Sequence, residues 1–366
     1  MNKWTNEEDC KLRELVNKGL LTEEIAKAMN RSFRSIVHRR ADITRGEPKY
    51  TPVEAKIAPD KGKKEDVSKL IIQTLKDELA NVQPFKASTQ SKADIIGDTL
   101  VIHLTDHHAG KIVKDQEGAI IYNEGIYRER IYRLCEQTLK LLDNNISKGV
   151  KIKDVVIIST GDLANGEGIY ATQAYEQEAA PPRQVMLVVD IITKLIVALL
   201  DRKLTVRFAG VRGNHGRTGK DTDVASNWDL MIYMILDFWA KMVLKNSNFS
   251  IKYTEAEQLR IEIKGWGYLL RHIAPENVDS PAGRVKINEW ARQQNVQAVV
   301  YGHFHHAGIN DCDDIRVFRG GSTVGGDGLS DNMAKHSEPI QLLWGVNEAR
   351  VSTFNYLVDL NAKKGK

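Results

Sequence analysis

From Thr99 onward, short apolar runs alternate with longer amphipathic stretches, and five of the runs stop at metal-ligating side chains. Such alternation argues for an α/β domain. The expected strands are TLVIHLT (99–105), DVVIIST (154–160), LTVRFAGV (204–211), QLRIEI (258–263), GYLLR (267–271), QAVVY (297–301) and DIRVF (314–318). Helices are expected near 126–147, 182–202, 223–245 and 284–294. No internal repeat is evident.

Functional groups of α/β sheets gather just beyond the carboxyl ends of strands. Here VIHLTDHHAG places Asp106 and His108 two apart, and VVIISTGDLANG delivers Asp162 behind a glycine. VRFAGVRGNHGR delivers Asn214 and His215, YLLRHIAP delivers His272, and AVVYGHFHHAG delivers His303 and His305. Alone, a Gly-Asp is often only a turn, and a single histidine is more often structural than a ligand. Together the five ends supply carboxylates, an amide oxygen and imidazoles without sulfur, which favours a metal site. Cys10, Cys135 and Cys312 share no pair spacing, so thiolate sites are excluded and a reducing compartment is expected.

Mixed nitrogen and oxygen donors suit manganese, iron or zinc better than calcium, with magnesium less natural among so many imidazoles.

The ordered set DxH, GD, GNH, H, GHxH, spanning roughly residues 98–310, resembles the calcineurin-like metallophosphoesterase superfamily. IHLTDHHAGK and YGHFHHAG look most like its nuclease branch, the SbcD-type DNA-repair exonucleases. The resemblance implies a sandwich of two mixed sheets flanked by helices, and hydrolysis of phosphodiesters, which resist it because an anionic centre repels the nucleophile and the leaving oxygen departs poorly. Two divalent ions about 3.5–4 Å apart address both problems. Such a pair needs a carboxylate between the ions, and Asp162 is the candidate. It also implies that Asp106, His108 and His305 complete one ion's shell, and Asn214, His272 and His303 the other's. His215 stands in the family's position for the general acid that protonates the leaving oxygen; imidazole suits that task near neutral pH.

Some positions depart from the protein-phosphatase branch. Its second block reads GDxxD followed by arginine and glycine, where this chain has Asn165 and then Gly166-Glu167. Asn165 can orient an imidazole but lends it no negative charge. The third block is followed by Gly216-Arg217 rather than an acidic residue. Arg217, and Arg271 beside His272, could hold phosphate through their planar forks. His107 and His306 lie beside the motifs without an assigned role, and His103, inside a strand, is expected to be packed. RGGSTVGGDG reads as a loop next to the site.

Residues 1–46 read as a separate all-α unit. Thr5 and Glu8 have capping-box spacing before the helix EEDCKLRELVNK, Gly19 stops it, Thr22 can cap EEIAKAM, and a third helix follows Ser32. The opening resembles a Myb/SANT-type helix-turn-helix. Arg31, Arg34, Arg39, Arg40 and Arg45 face the single acid Asp42 between 31 and 45, so the third helix could reach DNA phosphates and base edges. Residues 47–97 read as a lysine- and proline-bearing linker containing one amphipathic helix, EDVSKLIIQTLKDELA. The catalytic domain is expected over 98–366.

Net charge is only +4, so basic surface must be local. The polar N-terminus lacks a signal-peptide apolar region, and VMLVVDIITKLIVALL is broken by Asp190 and Lys194 and too short to span a bilayer. The expectation is a cytoplasmic, metal-dependent nuclease with DNA as partner, acting alone or as a homo-oligomer, with no membrane association. SbcD-type enzymes work with an ATPase partner, which nothing in this chain indicates. The alternatives are a phosphatase or small-nucleotide phosphodiesterase, or a DNA-binding regulator without catalysis.

Overall fold

The computed structural model describes residues 4–17, 22–32, 35, 36, 39, 76, 77, 80, 96–147, 150–170, 173–245, 248–325 and 337–361. The chain divides into two compact units, Met1–Val67 and Ser68–Lys366.

In the first unit, helix α1 spans Asn6–Asn17 and helix α2 spans Thr22–Ala28. The capping box forms as the spacing predicts. The Thr5 amide donates to Glu8 Oε2 at 3.0 Å, and the Glu8 amide donates to Thr5 Oγ1 at 3.3 Å. Leu12, Ile25, Ala26 and Ile36 make a small core, with Trp4, Leu15, Val16 and Met29 against it. Ser35, Ile36 and Arg39 are helical; Gly19, Arg34, Arg40 and Arg45 lie outside the described residues. So does the expected linker, apart from helical residues 76, 77 and 80 and the two residues, Ile96 and Gly97, that begin the first strand.

The second unit holds two packed sheets. The larger runs in the order β13-β12-β1-β4-β5-β6, comprising Asn355–Asp359, Ile340–Val346, Ile96–Leu104, Val150–Ser159, Thr205–Gly210 and Phe249–Tyr253. The smaller runs β10-β11-β9-β8-β7: Gly308–Cys312, Ile315–Arg319, Ala298–Tyr301, Trp266–Arg271 and Gln258–Ile263. β2 (Val113–Lys114) and β3 (Ile120–Tyr122) form a separate antiparallel pair. The longer helices of this unit, in chain order, are α3 (Glu124–Ser147), α4 (Pro181–Asp201), α5 (Trp228–Trp239) and α6 (Pro281–Gln294) among the described residues.

Strand alternation sorts the core into layers. Leu100, Ile102 and Leu104 of β1 pack towards α3, α4 and α5, whereas Val101 faces the space between the sheets. Val155 and Ile157 of β4 repeat the helix side, and Val156 and Ile158 the inter-sheet side. On the far face of the smaller sheet, Leu269, Val299 and Val317 meet Ile287 and Ala291 of α6. Because both faces of the central strands are buried, they read as continuous apolar runs. The result is the expected two-sheet α/β sandwich flanked by helices.

The apolar helix α4 is a core helix, and Asp190 and Lys194 pair across one turn at 2.9 Å. Among the described residues no helix is long and apolar enough to cross a membrane. β2, β3, β6, β10, β12 and β13 were not among the expected strands. β12 is a central neighbour of β1, pairing antiparallel with it; its run IQLLWGV carries the apolar signal that could have revealed it.

Topology places the site. β1, β4 and β5 are parallel neighbours, as are β8 and β9. Their carboxyl ends emerge together, and each is followed by one of the five polar motifs.

Candidate metal centre

Asp106 and His108 follow β1, Asp162 follows β4, Asn214 and His215 follow β5, His272 follows β8, and His303 and His305 follow β9. Five of these donors hold left-handed backbone: Asp106 (φ 51°), His108 (45°), Asp162 (54°), His303 (75°) and His305 (60°). Non-glycine residues rarely adopt that region, and such strain concentrates at functional sites. It persists here because the loops brace one another. The Asp106 amide donates to Gly161 O at 3.1 Å, and the His108 amide to Asp162 O at 2.9 Å. The His303 amide donates to the Asp106 carboxylate at 2.9 Å.

Three overlapping sets of ligand atoms lie within 4.8 Å of one another: Asp106, His108 and His305; His108, Asp162 and His215; Asp162, His272 and His303. Asn214 joins the third, its Oδ1 standing 2.7 Å from His272 Nε2 and 2.9 Å from His303 Nδ1. His108 Nε2 and His305 Nε2 stand 3.1 Å apart. Two ligands at about 2.1 Å from one cation subtend roughly 3.0–3.4 Å.

The donor chemistry fits a cation. His272 Nδ1–H donates to Thr160 O at 2.7 Å, so its Nε2 faces Asn214 Oδ1 and, at 3.0 Å, Asp162 Oδ2. Tyr170 OH accepts from Asn214 Nδ2 at 2.7 Å, which turns Oδ1 towards the imidazoles. With a neutral ring, three lone-pair-bearing atoms converge, so something electropositive must lie between them. In the free protein a proton fills that need. Burial opposes it, but the Asp162 and Asp106 carboxylates and the Thr160 carbonyl together outweigh burial and raise His272 to about 9. Asp162 is buried too, yet His272 and then His215 hold it well below the usual carboxylate range. Burial pushes Asp106 up to about 7. A divalent ion would replace the proton and balance both carboxylates.

The ligand loops approach each other backbone to backbone, which accounts for their glycines. A Cβ on Gly161 would stand 2.2 Å from Gly213 N, and one on Gly213 would stand 2.1 Å from Asp162 Oδ1. Gly213→Ala is therefore expected to displace Asp162, costing roughly 1–3 kcal/mol in stability and abolishing metal uptake. Thermal melting with metal analysis checks this; wild-type metal content would show that the loops can part harmlessly.

His215 lies against His108, with ring centroids 4.5 Å apart, and against Tyr170 at 4.8 Å. The expectation that the Asn165 side chain orients it is corrected. The Asn165 backbone carbonyl lies beside the ring, and Gln173 Nε2 stands 3.5 Å from Nδ1. The Asn165 amide turns instead to Gly166 O. Burial lowers the pKa of His215.

Other expected residues are placed differently. Arg217 Nε donates to Asn214 O at 3.1 Å, bracing that loop. Arg271 is occupied by the Trp290 ring at 4.2 Å, with Gln258 and Glu257 beside it. Arg31 forks onto Glu8 and Arg39 pairs with Asp9, both beside the Trp4 ring, so these two charges are matched within their own unit. His107 is buried against Tyr127. His103 is packed as expected, with Nε2 2.8 Å from Thr160 Oγ1. In the loop at 319–328, Ser322 and Thr323 donate to the carbonyls of Asp106 and His107; its residues 326–328 lie outside the described set.

Tyr170, Gln173 and Asp229 also reach the site, and sequence reasoning missed all three. Tyr170 lies in irregular chain and Gln173 opens a short 3-10 helix, with no motif to flag either. Asp229 is an acid in a first helical turn, an ordinary position. Burial, with the Asp162 charge added, pushes its carboxyl up to about 6.

No curated protein matches the chain. Among solved structures, Vps29 of Entamoeba histolytica complexed with zinc is similar at 16% identity, covering 72% of this chain and 99% of that one, with a TM-score of 0.33. An archaeal phosphodiesterase is similar at 13% identity, covering 71% and 99%, with a TM-score of 0.34. The 5'-nucleotidase of Candida albicans is similar at 10% identity, covering 75% and 54%, with a TM-score of 0.34. Residues 166–335 match the model of the calcineurin-like phosphoesterase superfamily domain, a span holding Asn214, His215, His272, His303 and His305, with Asp106, His108 and Asp162 before it. Over residues 166–335 the chain is thus similar to calcineurin-like phosphoesterases.

Proposed function

We propose that this chain is a two-metal phosphodiesterase acting on DNA, a nuclease of SbcD-like type. The observation that carries the catalytic part is the convergence of donors from five strand ends on Asp162, with His215 beside them. Asp106, His108 and His305 would hold one divalent ion, and Asn214, His272 and His303 the other, with Asp162 reaching both. Manganese suits this mixture of nitrogen and oxygen donors; iron, zinc or magnesium are the alternatives. Such ions supply an ionised water and neutralise charge developing on the phosphate. His215 donates the proton to the leaving oxygen. Its lowered pKa makes the imidazolium a stronger acid towards an alkoxide. Arg217 would steady the phosphate only indirectly, through the Asn214 loop it braces.

The DNA reading rests on the N-terminal unit and its helix-turn-helix resemblance. With Arg31 and Arg39 paired to Glu8 and Asp9, Arg34 and Arg40 are the cations assigned to phosphate contact. Replacing both by glutamine is expected to weaken DNA binding and reduce the salt slope by about two. An unchanged slope in a fluorescence-anisotropy titration would redirect the unit to a protein partner. The three free cysteines are compatible with a reducing cytoplasm. The chain would act alone or as a homo-oligomer, an ATPase partner having no specific support.

The deciding assay supplies manganese with circular and end-labelled DNA, cyclic nucleotides and a phosphopeptide. Cleavage of DNA supports the proposal. Turnover of the small esters with DNA left intact would replace it by a phosphatase or small-nucleotide phosphodiesterase. DNA binding without turnover of any substrate would leave a non-catalytic regulator.

A further inference from the structure

Beneath the donor cluster lies a carboxylate that takes no part in it. Asp229, in the first turn of α5, is fully buried. Its Oδ2 accepts from the amides of Asp162 at 2.9 Å and Gly213 at 2.8 Å, and its Oδ1 accepts from the Leu163 amide at 2.9 Å. Asn227, the helix cap, grips the same glycine from the other side, its Nδ2 donating to Gly213 O at 3.1 Å. Its own Oδ1 accepts from the Asp229 amide at 2.8 Å.

These bonds join two loops far apart in sequence, one bearing Asp162 and the other Asn214 and His215. The hydrogen-bond partners of the Asp229 carboxylate are all backbone amides, with no cationic side chain among them. A buried charge without a countercharge is expensive, and packing alone would be served by a neutral side chain. A carboxylate, however, has enough lone pairs to take all three amides, with one oxygen shared between the loops. That shared oxygen fixes the separation of the two backbones immediately beside the donors.

We infer that Asp229, assisted by Asn227, is the positioning residue of the metal centre. Its carboxylate holds the Asp162 loop in register with the Asn214–His215 loop, so the donors are assembled before any ion arrives. The α5 N-terminus favours the negative charge this requires. The inference rests on reading the site as a metal centre, but it concerns the metal-free protein too.

The test is Asp229→Asn, which keeps the shape and places an N–H donor where one acceptor stood. Hydrogen exchange in the metal-free full chain is expected to quicken more than about tenfold in segments 159–166 and 210–216, with α4 unchanged. Manganese affinity, read by calorimetry, is expected to fall about 10–100-fold, the usual effect of removing a group that orients metal ligands. Leu236→Ala is the companion, a buried residue of the same helix with no hydrogen bond to either loop. It should lower the melting temperature yet leave manganese affinity within about twofold of wild type.

Uniform acceleration of exchange, or equal affinity losses in both variants, would overturn the assignment and leave Asp229 as a folding residue. Should Asp229→Asn fail to fold, Asn227→Ser keeps a helix-capping oxygen and loses the grip on Gly213. It must then reproduce the exchange change in 210–216, and its failure to do so also overturns the assignment. If the wild-type chain binds no manganese, the metal reading falls, and the exchange pattern still decides whether Asp229 sets the loops.

Discussion

Asp162→Ala is expected to abolish metal-stimulated phosphodiester hydrolysis, a loss on the order of 10³-fold, about 4 kcal/mol of barrier. Asp162 belongs to two of the three overlapping donor sets and joins the second to the third, as His108 joins the first to the second. Its Oδ1 accepts from the His215 amide at 2.7 Å and its Oδ2 faces His272, so no neighbouring oxygen can replace it without moving a loop. The substitution should spare the fold. The carboxylate is buried among polar atoms, and its backbone carbonyl still accepts from His108. The measurement pairs turnover of labelled DNA and a chromogenic phosphodiester with metal content by atomic emission. Wild-type turnover in a folded variant would remove the site assignment altogether.

His215→Ala separates two roles that geometry brings close together. As the general acid, its loss is expected to lower kcat by about 10²–10⁴-fold while both metals stay bound. The contact supporting Asp162 comes from the His215 backbone amide, which alanine retains. Yet the ring also belongs to a donor set with His108 and Asp162, so it could hold an ion instead. Stoichiometry decides: two metals with slow chemistry identify the acid, and loss of an ion identifies a ligand. A substrate with a phenolate leaving group sharpens the distinction, because such a group departs without protonation. Turnover of that substrate should suffer far less than turnover of DNA if the acid role holds.

The contrast between these residues and Asp229 follows from how each kind of information is encoded. The metal donors here are Asp, His and Asn side chains, and they sit where strands end. Asp106, His108, Asp162, Asn214, His272, His303 and His305 therefore stand out against the apolar runs before them. The capping box at Thr5 and Glu8 is legible for the same reason, since its spacing is the interaction. The glycines of the Gly-Asp and Gly-Asn-His blocks stand out as motif members, but their necessity becomes visible only where two backbones nearly touch.

Arginines mislead in the opposite direction. Arg31, Arg39 and Arg271 are charged and well placed in sequence, yet helix residues distant in the chain consume them: Glu8, Asp9 and Trp290. His107, between two candidate ligands, turns inward to Tyr127. Neither outcome carries a local signature, because a long or pivoting side chain chooses its partner from whatever the fold brings near.

Residue chemistry and periodicity thus settle which strands cross the core and which side chains wait at their ends, since both are properties of short segments. Folding alone settles which ends meet, which carboxylate binds and which merely holds others in place. Asp162 and Asp229 are both fully buried acids, and nothing local distinguishes their tasks. One carboxylate faces imidazoles and the other faces amides, a difference created by contacts between segments far apart in the chain.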